Sequence, residues 1–140
     1  MPRILTRIAA ALVAVATLGL GCPAQAAERA NFEFTDITGE RFVLQLTNPE
    51  KIQHARDLLS GATRDQPHVI GRIVKRPAFY NPRWSYHYDP DTVSFFDMAI
   101  EVCDATIPYV EDHLDEAGGA FLPGLHWCPW SSRLVRELPV

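Results

Sequence analysis

The sequence predicts an α+β domain built on a small antiparallel sheet, with two short helices and one disulfide. Three observations point to this fold class. Short segments in which apolar and polar residues alternate are separated by turn-forming residues, as in strands joined by hairpins. One segment carries both the start and the stop signal of a helix. Two cysteines, Cys103 and Cys128, follow a region with the features of an export signal. We expect four to six strands.

Residues 1–26 have the composition of a cleaved signal peptide. Arg3 and Arg7 precede an apolar stretch over residues 8–20, and Ala24 and Ala26 form a small-x-small cleavage site. The apolar stretch is shorter than the roughly 20 residues of a comfortable bilayer crossing. We therefore expect cleavage after Ala26 and a single secreted or periplasmic domain over residues 27–140, with no transmembrane segment in the mature chain.

A lipoprotein is the alternative interpretation of the same segment, with Cys22 as the acylated residue. A lipoprotein signal has an aliphatic residue three positions before the cysteine, whereas Gly19 stands there in this chain. We therefore favour loss of Cys22 with the signal peptide.

The predicted mature chain is acidic. Without Arg3 and Arg7 it has 11 basic and 17 acidic residues, and residues 84–132 contain nine acids and neither Lys nor Arg. Proteins that bind nucleic acid present clustered Lys and Arg to the phosphates, so this charge balance argues against a nucleic-acid partner.

The first elements are a hairpin and a helix. Alternation of apolar residues over residues 31–37 and 42–46, on both sides of a turn at Gly39, predicts the hairpin. Asn48 and Pro49 then occupy the cap and the first position of a helix that Gly61 ends. Residues 68–76 predict a third strand around Gly71, with a basic end that contains Arg72, Lys75 and Arg76.

The central segment begins with a loop that Pro77 and Pro82 make stiff. Aromatic residues alternate over residues 84–88, which predicts a short strand with one aromatic face. A turn at Asp89-Pro90-Asp91 leads into a long apolar strand over residues 93–103. A second helix is expected from residue 106 to residues 118–119, and a short strand or helical turn near residues 132–138.

Cys103 and Cys128 would close a loop of about 26 residues, which an oxidising compartment favours. Zinc ligation with His113 or His126, or a free nucleophilic thiol, are the alternatives. Neither suits an exported protein well, and the chain has no C-x-x-C pair.

No catalytic constellation is present in the sequence. A nucleophile elbow and an H-E-x-x-H motif are both absent. An EF-hand starting at Asp89 is excluded, because Ser94 and Ile100 replace the required Gly and Glu. A calcium site of another kind, using Asp89, Asp91 or Asp104, stays open. We expect no enzyme activity, no metal site and no cofactor other than this calcium.

Three runs of sequence are distinctive: YNPRWSYHYDPDTVSFFDMAIEVCDA, YVEDHLDEAGGAFLPG and WCPWSSRLVREL. In these runs the chain resembles the N-terminal domain of an amoebal calmodulin-binding protein family, a module that also occurs alone in bacterial exported proteins. The resemblance covers residues 30–138. It implies a small domain without established catalytic residues. Calmodulin itself is not an expected partner, because calmodulin targets are basic amphipathic helices and the second helix here is acidic.

The expected function is non-catalytic binding of a protein partner outside the cytoplasm. A serine-protease inhibitor that presents the loop Pro82-Arg83-Trp84 is the alternative, since a rigid loop with an arginine is a plausible bait for a trypsin-like enzyme. A calcium-dependent binding module is the further alternative. The predicted contact surface comprises Tyr80, Arg83, Trp84, Tyr86, His87, Asp89 and Asp91.

Overall fold

A computed structural model describes residues 28–99 and 102–140, together with Gly19 and Gly21. The predicted signal peptide, its cleavage after Ala26 and the alternative acylation of Cys22 lie outside the described residues.

The first sheet has three strands in the order β2, β1, β9 and joins the first strand of the domain to the last. β1 (Ala30–Thr35) and β2 (Arg41–Leu46) form the predicted hairpin, and its turn contains Gly39 with a φ of 80°. β9 (Arg133–Leu138) is antiparallel to β1 along its other edge. Phe32 and Phe34 are fully buried, so the alternation that predicted this hairpin is confirmed.

The first helix, α1 (Pro49–Ser60), begins and ends at the predicted residues. The side chain of Asn48 accepts hydrogen bonds from the backbone N–H groups of Glu50 and Lys51 at 2.9 and 3.2 Å. Gly61 ends the helix in the left-handed conformation, which glycine adopts without strain. The buried face of α1 lies against β9 and β2.

A second sheet is organised around β3 (His68–Val74), which pairs with three strands along its length. These partners, all antiparallel, are β5 (Ser94–Phe96), β8 (His126–Trp127) and β4 (His87–Tyr88). A Cβ atom on Gly71, at the centre of β3, would lie 2.9 Å from the ring of Tyr88. Gly71 therefore makes room for a buried tyrosine.

The second helix is shorter than predicted. α2 (Ile107–Asp112) begins after Thr106, but it ends at His113 rather than at residues 118–119. Tighter turns follow His113 and bury Ala117, which belongs to β6 (Ala117–Gly118). β6 pairs in parallel with β7 (Phe121–Pro123).

Two predicted strands are also shorter. Within residues 84–88 only His87–Tyr88 is a strand, and within residues 93–103 only Ser94–Phe96. The second of these ends where its partner β3 begins, since Phe96 pairs with His68 and the preceding Pro67 has no backbone N–H to donate. Beyond it, the Asp97 side chain accepts a hydrogen bond from the backbone N–H of Gln66 at 2.7 Å. Met98 and Val102 in the predicted strand do not enter the core, since they are 77% and 81% exposed. Residues 100–101 of the predicted strand lie outside the described residues.

The core is an aromatic cluster centred on Trp127. The ring centroids of Phe34, Phe42, Tyr86 and Tyr88 lie between 5.0 and 6.0 Å from that of Trp127. The indole Nε1 donates to the carbonyl oxygen of Ala105 at 2.9 Å. Both sheets therefore contribute to one core, because Phe34 and Phe42 belong to the first and Tyr88 and Trp127 to the second.

Cys103 and Cys128 form the predicted disulfide, and both residues are buried. Their Cα atoms lie 5.1 Å apart, and the backbone N–H of Cys128 donates to the carbonyl oxygen of Cys103 at 2.8 Å. The bond joins the segment before α2 to the end of β8. Neither helix within the described ranges has the length and hydrophobicity that crossing a bilayer requires.

Alkaline pH is expected to destabilise the domain through two buried tyrosines. Burial raises the pKa of Tyr86 and Tyr88 well above the ordinary value of about 10. Above that value the unfolded chain loses both phenol protons while the native state keeps them. The free energy of unfolding should therefore fall with rising pH, by up to about 2.7 kcal/mol per pH unit for the two groups.

Urea unfolding at several pH values between about 9 and 11 measures this slope. The control is the double variant Tyr86→Phe/Tyr88→Phe, which keeps the rings but removes the ionisable groups. It should lose stability less steeply over the same pH interval. Equal slopes for the two proteins would show that these tyrosines do not drive the alkaline loss of stability.

Candidate functional site

A turn between Pro77 and Pro82 presents two aromatic side chains at the surface, and we call residues 77–82 the aromatic turn. Its backbone closes through an isolated bridge between Ala78 and Asn81, with the N–H of Asn81 donating to the carbonyl oxygen of Ala78 at 2.9 Å. The two prolines restrict the chain on either side. Phe79 and Tyr80 therefore lie at the corner of a stiff turn.

Asn81 fixes the aromatic turn to the first sheet. Its side chain is buried, and its Oδ1 accepts a hydrogen bond from the backbone N–H of Val43 at 2.9 Å. Its Nδ2 donates to the carbonyl oxygen of Tyr86 at 3.1 Å. One amide side chain thus joins the turn to the free edge of β2 and to the following segment.

Trp84, like Asn81, hydrogen-bonds to the backbone of β2 at its outer edge. Its indole Nε1 donates to the carbonyl oxygen of Arg41 at 2.7 Å, and its ring stacks near Phe42 with the centroids 6.5 Å apart. Buried polar groups on a sheet edge need such partners, and a covered edge cannot pair with another chain. The position of the aromatic turn is therefore set by the sheet.

Phe79 is the most exposed large apolar residue in the described ranges, at 88%. Its ring meets Tyr80 edge-on at 5.3 Å, and Tyr80 meets His87 edge-on at 6.2 Å. Burial, and secondarily the charge of Asp89, raise the pKa of Tyr80. His87 Nδ1 lies 2.7 Å from the carbonyl oxygen of Arg76 and must donate to it. The ring of Phe79 therefore contacts the ring of Tyr80, which in turn contacts the ring of His87.

Two basic residues, Lys75 and Arg76, lie in the chain between the end of β3 and the aromatic turn, and Arg72 lies within β3. Arg72 is only weakly paired, with its Nη2 4.0 Å from Asp89 Oδ2. Lys75 Nζ lies 3.4 Å from the carbonyl oxygen of Asp115. Arg76 is exposed, and within the described ranges no carboxylate lies within 4.0 Å of its guanidinium. We call Lys75 and Arg76 the basic flank.

The structure brings three of the predicted contact residues together, namely Tyr80, His87 and Asp89. Two others require a correction. Tyr86 is fully buried and Trp84 is 7% exposed, so neither side chain can form part of a contact surface. Both rings point into the core because they pack against Phe42 and, for Tyr86, against Trp127.

Arg83 and Asp91 lie apart from that group. The guanidinium of Arg83 is 2.6 Å from the carboxylate of Glu40 and lies over the ring of Trp84 at 4.9 Å. Asp91 is exposed near the start of α1, where its Oδ1 accepts a hydrogen bond from the hydroxyl of Thr47 at 3.1 Å. The predicted surface is therefore split between three places.

Phe79 was not among the predicted contact residues. The two prolines around it indicated a stiff loop, but the stronger aromatic alternation of residues 84–88 drew the prediction to that segment. A large apolar residue at the centre of a short proline-bounded turn is the signal that could have identified Phe79, because such a turn has too few residues to fold back over its own side chain.

No cluster of three or more His, Cys, Asp or Glu side chains within residues 28–99 and 102–140 is arranged to hold a metal ion. The carboxylates considered for calcium have separate partners. Asp89 Oδ1 accepts from the backbone N–H of Asp91, and Asp104 Oδ1 accepts from the backbone N–H of Trp130. His113 stacks on Tyr109 with ring centroids 4.0 Å apart.

Comparison with known proteins identifies the domain. The family model described as the BP-74 N-terminal domain matches residues 28–140, which confirms the resemblance seen in the sequence. No curated protein and no solved structure shows significant similarity to the chain. The match includes the aromatic turn, both sheets and both cysteines of the disulfide. The chain therefore belongs to the BP-74 N-terminal domain family.

Proposed function

We propose that the domain is an exported, non-catalytic binding module that engages a protein partner through the aromatic turn. The observation that carries this proposal is the exposure of Phe79, at 88%, on a turn whose backbone is held by two prolines and Asn81. A rigid, exposed aromatic side chain loses little conformational freedom on binding. Aromatic anchors of this kind supply much of the energy of protein interfaces.

The basic flank indicates the chemistry of the partner surface. Phe79 fits an apolar pocket, and Arg76 beside it fits a carboxylate on the border of that pocket. Complementary charges increase the rate of encounter and select among partners. The proposed partner surface is therefore an apolar pocket with an acidic rim.

The disulfide supports the export part of the proposal, because disulfides persist in oxidising compartments. The signal-like residues 1–26 point in the same direction. Both observations suit a protein that meets its partner outside the cytoplasm.

The geometry favours the aromatic turn over the protease-inhibitor alternative. An arginine that enters a protease pocket must project freely, whereas Arg83 contacts both Glu40 and the ring of Trp84. Binding to a protease would require both contacts to break. The calcium-dependent alternative has no comparable support, since Asp89, Asp91 and Asp104 each bind a different part of the chain.

Replacing Phe79 with alanine is expected to weaken partner binding without affecting the fold. Affinity should fall by at least about tenfold, as for other aromatic interface anchors. The free energy of unfolding should change by less than about 0.5 kcal/mol, because the side chain is exposed. The measurement is quantitative capture from extracytoplasmic fluid by immobilised wild type and variant, followed by binding measurements on each protein captured.

Met98→Ala is the matched control, since Met98 is also a large apolar residue and is 77% exposed at a different place. It should retain every partner that the wild type binds. Arg76→Gln should weaken binding more at low than at high salt. A set of partners that bind Phe79→Ala as tightly as the wild type would contradict the proposal.

A further inference from the structure

A polar groove of about 510 Å³ opens where the β1–β2 turn meets the start of β9. It lies on the outer face of the first sheet, away from the aromatic core. Two arginines, Arg41 and Arg133, line it together with Ser131 and Ile37. The groove is separate from the aromatic turn, so a ligand could occupy it whether or not the aromatic turn binds a partner.

Strand pairing places the two arginines on either side of one residue. Arg41 on β2 and Arg133 on β9 are both register partners of Thr35 on β1. Neighbouring strands are about 4.8 Å apart, so the two arginine backbones are separated by about 10 Å. Directly opposed residues of antiparallel strands have their side chains on the same face. An anion above Thr35 is therefore within reach of both guanidinium groups.

The donors in this groove are available to a ligand. Within residues 28–99 and 102–140, Arg133 has no carboxylate within 4.0 Å. Arg41 lies 3.5 Å from Glu33, a carboxylate that Arg136 also approaches at 3.3 Å. Ser131 Oγ accepts the backbone N–H of Ile37 at 3.0 Å, which leaves its hydroxyl proton to donate.

One carboxylate also lines the groove, but its oxygens are already engaged. Asp36 is buried, and its Oδ2 accepts the backbone N–H of Ile107 at 2.6 Å. Its Oδ1 accepts from the backbone N–H and the hydroxyl of Thr38. Arg41, Arg133 and Arg136 face only two carboxylates here, Glu33 and the internally bonded Asp36, so this end of the outer face has a net positive charge in a chain whose formal net charge is −4.

An apolar cleft of about 170 Å³ adjoins this groove and shares Arg133 with it. Leu58, Pro67 and Leu134 supply its apolar surface, and Arg64 lies at its border. Leu134 opposes the buried Phe34, so its side chain points to the core face of the sheet while that of Arg133 points to the outer face. The cleft therefore lies on the other side of β9 and is not part of the anion site. A tetrahedral oxyanion has enough acceptor oxygens for both arginine forks and for the Ser131 hydroxyl.

We propose that the groove is a binding site for the phosphate group of a phosphate ester. Such a ligand has two sources, a soluble ester or the headgroup of an anionic lipid. Ile37, 80% exposed on the border of the groove, distinguishes them. If the ligand is a lipid headgroup, the side chain of Ile37 would enter the membrane surface. If the ligand is a soluble ester, Ile37 would contribute little to binding.

The test is titration of the ¹⁵N-labelled protein with inorganic phosphate and with hexyl phosphate, followed by amide chemical shifts. Hexyl phosphate and inorganic phosphate should bind with affinities within about threefold of each other, because the groove contacts the phosphate group and not its substituent. Arg133→Gln should lower the affinity for both ligands by at least about tenfold. Arg72→Gln, which removes the same charge at a distant position, should change either affinity by less than about twofold.

Co-sedimentation with vesicles identifies the source. Binding to vesicles that contain phosphatidylglycerol but not to pure phosphatidylcholine, lost in both Arg133→Gln and Ile37→Ser, would support a lipid ligand. Binding of hexyl phosphate without vesicle binding would support a soluble ester. Absence of shifts around Ser131 and Arg133, or equal weakening by Arg133→Gln and Arg72→Gln, would overturn the proposal.

Discussion

Replacing Trp127 with alanine is expected to lower the free energy of unfolding by about 3–5 kcal/mol, as for other buried tryptophans and phenylalanines. Trp127 is fully buried and contacts aromatic rings from both sheets, so its loss leaves a cavity at the place where the sheets meet. It also leaves the carbonyl oxygen of Ala105 without its donor. The total free energy of unfolding of a small domain is about 5–15 kcal/mol, so the variant should be only marginally folded. Urea unfolding followed by circular dichroism measures the change.

Trp130 provides a control with the same substitution three residues later. It is 40% exposed, and its ring meets Phe96 edge-on at a centroid distance of 6.2 Å. Trp130→Ala should cost less than about 1 kcal/mol, because little apolar surface and no large cavity are involved. A similar loss for the two variants would show that Trp127 is not the centre of the core.

Removal of the disulfide is expected to destabilise the domain by about 3.5 kcal/mol, from the entropy of closing a loop of this length in the unfolded chain. Cys103 and Cys128 are 25 residues apart in sequence, and both are buried. The double variant Cys103→Ala/Cys128→Ala tests this with little change in volume. Its free energy of unfolding should be compared with that of the wild type under non-reducing conditions.

A reducing agent separates the covalent effect from the effect of the substitutions. It should destabilise the wild type by about the same amount as the double variant, and it should leave the double variant unchanged. An unchanged wild type in reducing agent that demonstrably breaks the bond would contradict the prediction. The loss would then belong to the packing of the two side chains rather than to the cross-link.

The elements with local signals could be predicted from the sequence. Asn48, Pro49 and Gly61 define α1 because each acts on its own backbone or on neighbours within one helical turn. The hairpin of β1 and β2 follows from alternation on both sides of Gly39 for the same reason. The pairing of Cys103 with Cys128 followed from the expected loss of Cys22, which leaves only these two of the three cysteines.

The candidate site could be predicted only in part. Alternation showed that Trp84, Tyr86 and Tyr88 share a direction, but it does not say whether that direction is the core or the surface. The answer depends on Phe42 and Trp127, which are distant in sequence. Likewise, nothing near Asn81 indicates that its side chain binds the backbone of Val43, 38 residues earlier.

The arginine pair of the groove could not be predicted from the sequence either. Arg41 and Arg133 are separated by most of the domain and meet only because β1 pairs with both β2 and β9. The long strand predicted over residues 93–103 failed for a related reason, since its partner β3 begins at His68 and has no residue that pairs beyond Phe96. Strand length here is decided by partners rather than by the apolar run itself.

The pairing of β1 with β9 also determines when the domain can fold. β1 is the central strand of the first sheet, yet one of its two edges stays open until residues 133–138 are available. The hairpin of β1 and β2 can form early, but a two-stranded hairpin alone is marginally stable in water. Non-local pairings of this kind form slowly. A chain emerging from a ribosome or a translocation channel therefore stays unfolded until nearly all of it has been released, and its N-terminal half gains a stable partner only at the last step.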